Sequence, residues 1–286
     1  MTRAGRRVSV VGFTLIELLV VLSIIVLLIG ILLPALGLAR STAQQAQAMS
    51  NIRQLGAAQT LYQVDHQGHV PWGHPPNSGN LYGNPVDVKY EGVSLGGLVS
   101  ARYPWRVIDY VQDVWELIYL HTDVPDRGDP FFAYNASVTP TFGNNAVYVG
   151  GFDSPFYDGF LDVASPLDHV ANRGGHVIYY DHEATSPSEL ITFTETQASN
   201  AGGLASEGEG FYYTIPPLGK TREWEARGDE IVRVSAQAGG VPRGHFGPAA
   251  STAFFDGHAE LMKPEELDDV RLWTNDADAP DDTPIP

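Results

Sequence analysis

Nine histidines and 34 acidic side chains carry most of the acid–base and metal-ligating capacity of this 286-residue chain, and they gather at a few places. Near the C-terminal end, Arg243-Gly244-His245 precedes a stretch of small residues and then Phe254-Phe255-Asp256-Gly257-His258. His245, Asp256 and His258 could supply the base and orienting groups of a hydrolase. Asp256-Gly257 between two alternating runs is equally a type I′ hairpin signal, with His245 free to cap backbone or to hydrogen-bond Asp256. Asp65, His66, His69 and His74 form a second cluster. Zinc favours such ligands, but the segment is a helix end running into a Gly/Pro loop and offers no i, i+4 His pair. Asp181-His182-Glu183 is a third group, with no HExxH around it. Asp276, Asp278, Asp281 and Asp282 could ligate calcium, although Pro280 interrupts the run and no glycine supplies an EF-hand turn. Gly219-Lys220-Thr221 ends like a phosphate loop, but Thr214 stands where the first glycine is required. There is no cysteine, which excludes disulfides, thiolate nucleophiles and Cys-based zinc sites. Trp72, Trp105, Trp115 and Trp224 could line a groove or fill a core. The balance favours a protein that is not an enzyme, with no metal and no cofactor; calcium at the acidic tail is the open alternative.

Charge narrows the partners. The formal net charge is −17. Setting aside Arg3, Arg6, Arg7 and Glu17 in residues 1–34 leaves 14 basic against 33 acidic groups. Nucleic acid needs clustered Lys and Arg, so it is not an expected partner, nor is an anionic lipid surface for the acidic part. The charge suits solubility.

The elements begin with an apolar run. In residues 13–33 only Thr14, Glu17, Ser23 and Gly30 interrupt aliphatic or aromatic side chains. As a helix this run spans roughly 30 Å, the thickness of a bilayer's hydrocarbon core. Three arginines ahead of it predict a cytoplasmic N-terminus by the positive-inside rule, with the rest of the chain beyond the membrane. The run exceeds a secretory h-region of about 7–15 residues, and Leu32-Leu33-Pro34 is a poor cleavage site. Glu17 is the odd residue, because a carboxylate inside a membrane helix needs a partner or a route to the interface. Pro34 and Gly37 should weaken the helix locally. Beyond them Ala48, Met49, Ile52, Leu55, Gly56, Gln59 and Tyr62 fall on one stripe, an amphipathic continuation with one face for a core. Gly68 and Pro71 end it.

Gly12-Phe13-Thr14-Leu15-Ile16-Glu17, after a basic leader and before an aliphatic helix, resembles the N-terminal signal of type IV prepilins and type II secretion pseudopilins. Pro34 stands where such proteins commonly place a helix-kinking proline. Residues 49–71 and the His245 to Asp256-Gly257 stretch resemble the prepilin-type proteins with a C-terminal H-X9-DG motif, although ten residues, not nine, separate His245 from Asp256. The resemblance implies cleavage by a prepilin peptidase between Gly12 and Phe13 and N-methylation of Phe13. It implies that Glu17 offsets the new amine as helices stack in a filament. It also implies other pilin or pseudopilin subunits, an inner-membrane assembly platform and membrane lipid as partners. The location would be the inner membrane, single-pass, with the C-terminal domain periplasmic or extracellular. Two alternatives stay open: a minor tip pilin whose 71–240 insertion binds a ligand, and a membrane-anchored hydrolase.

The expected organisation is a leader over 1–12, a transmembrane segment over 13–34, its amphipathic continuation over 35–68, a globular domain over 69–273 and an acidic disordered tail over 274–286. The stretch 71–100 is rich in Gly, Pro and Asn and reads as loop. Val107, Ile108, Val111, Val114, Trp115 and Ile118 predict a second amphipathic helix over 104–121, followed by loop to 145. Short strands are expected at 146–149, 176–180, 189–194, 211–215, 231–234, 251–255 and 258–262. Strands in succession without helices between them predict an α+β class, the long helix packed on an antiparallel sheet with a loop-rich insertion.

Overall fold

A computed structural model describes residues 14–71, 73, 88–95, 99–100, 102–151, 177–198, 209–214, 216, 224–227, 230–233, 241–242, 244–275 and 277. The chain divides into two units, residues 1–44 and 45–286. Helix α1, Leu15–Asp65, begins in the first and ends in the second.

In the first unit the helix keeps every large apolar side chain from Leu15 to Leu38 exposed. It is long and apolar enough to cross a membrane. Its polar groups are satisfied locally: Ser23 donates to the Val20 carbonyl at 2.8 Å, and Thr42 to that of Leu38 at 3.0 Å. Pro34 lies inside the helix, which continues through it.

In the second unit one face of the same helix is core. Ala48, Ile52, Leu55, Ala58 and Tyr62 are buried together with Asn51, Gly56, Gln59 and Gln63. Met49, expected on this stripe, sits half-buried at its edge. Burying each of Ile52 and Leu55 is worth about 1.5–3 kcal/mol. The helix stops in a Schellman turn: Gln67 is left-handed at φ 59, and the Gly68 N–H donates to the Gln63 carbonyl at 2.7 Å. Gly68 has φ +84, and a Cβ there would fall 2.6 Å from Asp181 Oδ1. Glycine is required for both reasons.

After a small hairpin of β1, Lys89–Tyr90, and β2, Val93–Ser94, comes the short helix α2, Tyr103–Val107. The single helix expected over 104–121 is broken. A 3-10 turn, Ile108–Val111, gives way to Gln112 and Asp113 at φ 58 and 60, then to a second 3-10 turn, Trp115–Leu117. Asp113 explains the break, since its carboxylate accepts from Trp115 Nε1 at 2.8 Å and from Arg127 at 2.9 Å. These two bonds outweigh helical periodicity. The stretch expected as loop to 145 holds helix α3, Phe132–Val138, and strand β3, Phe142–Asn145.

The remaining strands are β4, Ile191–Gln197; β5, Tyr213–Thr214; β6, Trp224–Arg227; β7, Glu230–Arg233; β8, Val241–Pro242; β9, Ala250–Phe254; and β10, Ala259–Met262. The main sheet runs β10-β9-β4-β3-β5, with β8 pairing the end of β4. The α+β class is as expected, but the sheet is mixed rather than antiparallel, because β3 and β5 are parallel. The chain reverses after β4, yet β3 occupies the slot beside β4, so β5 pairs on the far edge of β3 and runs in its direction. Strands β6 and β7 form a separate hairpin. Residues 146–148 form a turn rather than a strand, and Val149 and Ile178 make only an isolated bridge.

Strands β3, β4 and β9 are buried along their length. One face packs Phe142, Phe193 and Ala253 with Ile52, Leu55, Tyr103 and Trp115. The other packs Ile191, Ala250 and Phe254 with Leu267 and Trp273. A register shift between Ile191 and Phe193 lets two residues of like parity serve opposite faces. Helix α4, Pro264–Leu267, and the residues after it cover the second face. Thr274 is buried, and Asn275 bonds Glu183 and Thr185, so packed structure runs two residues into the expected tail. Of the tail's acids, Asp276, Asp278, Asp281 and Asp282 lie outside the described residues.

Candidate functional site

Two places carry the residues singled out in the sequence: the start of α1 and the C-terminal motif. At the first, Gly12 and Phe13 lie outside the described residues. Glu17 is described, and it caps its own helix. Thr14 gives Glu17 Oε2 both its backbone N–H, at 2.9 Å, and its hydroxyl, at 2.7 Å. The Glu17 N–H returns a bond to Thr14 Oγ1 at 3.2 Å. Thr-x-x-Glu is a capping box. The signal stood in the sequence and was not read there.

At the C-terminal motif, strand β4 supplies the central group. Glu195 is 1 % exposed, and each carboxylate oxygen takes a backbone N–H, Oε2 from His245 at 2.8 Å and Oε1 from Ser251 at 2.9 Å. One carboxylate thereby ties both ends of the 245–251 loop to the sheet. Burial pushes the Glu195 carboxyl above its ordinary value, against the Ser251 and His245 donors that lower it. The His245 ring donates through Nε2 to the Thr196 carbonyl at 2.7 Å and stacks on His121, centroids 3.8 Å apart and planes 8° from parallel. Thr141 Oγ1 accepts the Leu120 N–H at 2.8 Å and shares a hydrogen bond with His121 Nδ1 at 2.9 Å. His121 Nε2 is buried with no hydrogen-bond partner among the described residues. Burial first, then the adjoining His245, hold the His121 pKa down to about 3, so the ring is neutral. Sequence reasoning missed Glu195, His121 and Thr141. For Glu195 a signal existed, a lone carboxylate in the β-branched run Ile191-Thr-Phe-Thr-Glu-Thr-Gln197.

Asp256 and Gly257 make the β9–β10 turn, though not of the expected type I′. The Gly257 N–H bonds the Phe254 carbonyl at 2.9 Å, the Phe254 N–H bonds the His258 carbonyl at 2.9 Å, and Gly257 has φ +89. Positive φ falls on Gly257 alone, which makes this a three-residue loop, a type I turn closed by a glycine bulge. His245 does not meet Asp256: all of β9, about 16 Å of strand, lies between them. The Asp256 carboxylate instead holds the His258 N–H at 3.0 Å and His258 Nδ1 at 2.5 Å, while Nε2 reaches Glu260 at 3.1 Å. The His258 ring lies flat on Phe254. Desolvation lowers the His258 pKa, but bonds to Asp256 and Glu260 outweigh it and leave the pKa raised. The turn also sits on α1, where a Cβ built on Gly56 would lie 3.7 Å from Gly257 Cα and 3.9 Å from Ala253 Cβ.

The other clusters are dispersed. His66 stacks on Tyr62 and bonds the Tyr62 carbonyl, His69 packs on Tyr180, and Asp65 accepts from Tyr110; His74 lies outside the described residues. Glu183 caps the N–H groups of Tyr179 and Tyr180. Among the described residues no group of three or more His, Asp or Glu side chains is placed to hold a metal ion. Trp105 and Trp115 belong to the core.

No protein-family model, curated protein or solved structure matches the chain. The residues themselves therefore carry the functional argument. The C-terminal cluster binds loop to sheet with groups already satisfied by backbone, and His245, Asp256 and His258 do not converge on a common point.

Proposed function

We propose that the chain is a structural subunit, a pilin- or pseudopilin-like protein, of a type IV pilus-like or type II secretion filament. It is not an enzyme in this reading. A prepilin peptidase cuts between Gly12 and Phe13 on the cytoplasmic side, and the new Phe13 amine is methylated. The product stays in the inner membrane as a single span, with residues beyond it periplasmic or carried outward in a filament. The assembly platform and other subunits then draw it into an open-ended helical array, as a heterologous interface requires.

The observation that carries this reading is the division of labour along α1. Its first half presents exposed large apolar side chains, and residues 48–63 of the same helix supply core to the domain. An anchor meant only to hold a protein in lipid has no need to continue as core of its cargo. Glu17 fits the same reading. Thr14 occupies Oε2, and Oε1 remains for the methylated amine of this or a neighbouring subunit. An amine and a carboxylate buried together cost less than either alone.

Mass spectrometry of the native protein's first peptide tests the proposal. The expected peptide begins at N-methylated Phe13. A native chain that still begins at Met1, or that begins beyond the apolar run, refutes it. Glu17→Ala should leave cleavage intact and impair assembly; normal incorporation into filaments would remove the pairing role.

A further inference from the structure

Residues 244–249 form a compact bend, in which a Cβ on Gly244 would meet the Gly247 and Ala249 carbonyl oxygens. Three bonds tie the 245–251 stretch to β4: two N–H groups on Glu195 and the His245 ring on the Thr196 carbonyl. The His245 ring also lies flat on His121, centroids 3.8 Å apart and planes 8° from parallel. His121 bonds Thr141 Oγ1, which holds the Leu120 N–H. The imidazole pair therefore joins the bend to two other segments, residues 120–121 and Thr141.

The stack suits neutral rings. A second proton on His121 would charge a buried ring face to face with another imidazole, and Nε2 has no hydrogen-bond partner among the described residues. The carboxylates nearby are engaged elsewhere. Glu195 on β4 spends both oxygens on the His245 and Ser251 amides, and Glu209 acts on Tyr119. Arg243 lies outside the described residues. We propose that the His121–His245 stack is an acid-released latch: protonation of His121 parts the rings and frees residues 244–251 from β4 as a local opening. Burial and the adjoining His245 hold the His121 pKa down to about 3, whereas the opened ring, in water, regains the ordinary value of about 6.5. Closure is therefore fully supported above about 6.5 and loses support as pH falls toward 3. Glu195 acts in the other direction. Its raised carboxyl pKa favours the closed form as pH falls through the raised value. Below the ordinary carboxyl value that gain is complete, and His121 alone drives opening. This holds whether or not the chain enters a filament.

Amide exchange of the full chain in zwitterionic nanodiscs, read by NMR at the Leu120, His245 and Ser251 N–H groups, tests the latch. Protection factors at these three amides should fall about tenfold for each unit of pH below about 4.5, while the β3–β4 ladder keeps its protection. His121→Phe keeps a ring on His245 that cannot take a proton, and its protection should stay level. Glu195→Gln removes the opposing group, so its fall should begin at about pH 6.5. Titration of the wild-type His121 ring by NMR covers the case in which a variant does not fold; the ring should stay neutral down to about pH 4. Level wild-type protection down to about pH 3.5 overturns the proposal. So does an equal fall in His121→Phe, or a His121 ring that titrates at its ordinary value. A fall shared by every amide of the sheet would mean global acid unfolding instead of a latch, and would also overturn it.

Discussion

Gly56→Ala should stabilise the domain. Gly56 is buried in the interior of α1, where glycine costs about 0.8–1.0 kcal/mol relative to alanine. A Cβ there meets Gly257 Cα at 3.7 Å, the Gly257 carbonyl oxygen at 3.8 Å and Ala253 Cβ at 3.9 Å. These are ordinary van der Waals separations, so the methyl fills space without pushing. Burying it adds about 0.8 kcal/mol. The gain is thus about 1–2 kcal/mol, or a rise of about 2–4 °C in Tm per kcal/mol for a domain of this size. Gly56→Leu is the counterpart. Its outer carbons must pass the Gly257 backbone, and overpacking of about 1–3 kcal/mol cancels or reverses the helical gain. Thermal unfolding of the full chain in detergent, followed by near-UV circular dichroism, reads both variants. A fall in Tm for Gly56→Ala would mean that helix and hairpin are closer than 3.7 Å permits. An equal rise for Gly56→Leu would mean that this face of α1 does not meet the hairpin. Either result refutes the reasoning.

Three more outcomes are expected. Gly143→Ala should cost about 3 kcal/mol, because its Cβ would lie 2.5 Å from Thr196 Cγ2 and 2.7 Å from the Tyr213 carbonyl carbon in the sheet; a Tm within a degree or so of wild type would count against the β4-β3-β5 packing. Glu195 has a raised carboxyl pKa, so the fold favours its acid form and loses stability as pH climbs from the ordinary carboxyl value through the raised one. Glu195→Gln lacks that loss, and its stability relative to wild type should improve across the same window in denaturant titrations; parallel pH profiles would contradict the burial argument. His258 follows the same sense of linkage: its raised pKa gives stability present below the ordinary imidazole value and lost as pH rises through the raised one. NMR titration of the ring should give a pKa above 6.5 that falls on Asp256→Asn, and an ordinary value in wild type would contradict the Asp256–His258–Glu260 geometry.

How much of this was legible in the sequence depends on which force shaped each segment. The apolar run and the stripe ending at Tyr62 were readable because a long helix repeats one local rule, and the buried face follows its period. The positions of β4, β9 and β10 were readable within two or three residues from β-branched composition and the Asp256-Gly257 turn. The helix over 104–121 was not, because a tertiary device, Asp113 bonded to Trp115 and Arg127, turns the backbone left-handed in mid-period. Strand β3 was missed for a related reason. Its Phe-Gly-Asn-Asn sequence has little strand propensity, and Asn145 is held by the distant carbonyls of Ile191 and Trp273. Alternation could not place Glu195, since β4 is buried on both faces and a polar residue there has no visible face.

The C-terminal motif makes physical sense when its two ends are considered together. His245 and Ser251 deliver N–H groups to Glu195, which fixes the chain entering β9. Asp256 and Gly257 fix the chain leaving it, in a turn that lies on α1 at Gly56. Between them β9 carries Ala253 into the face shared with Ile52 and Leu55. The motif brackets a strand that must neither slide nor lift if residues 48–63 of α1 are to stay seated, because a shift of one residue would exchange its two buried faces. A carboxyl group is kept in the sheet at the cost of its solvation, and what it secures is register. Loosening it with Glu195→Ala should therefore show first as lost amide-exchange protection at Ser251 and along β9, ahead of any change in the rest of the sheet.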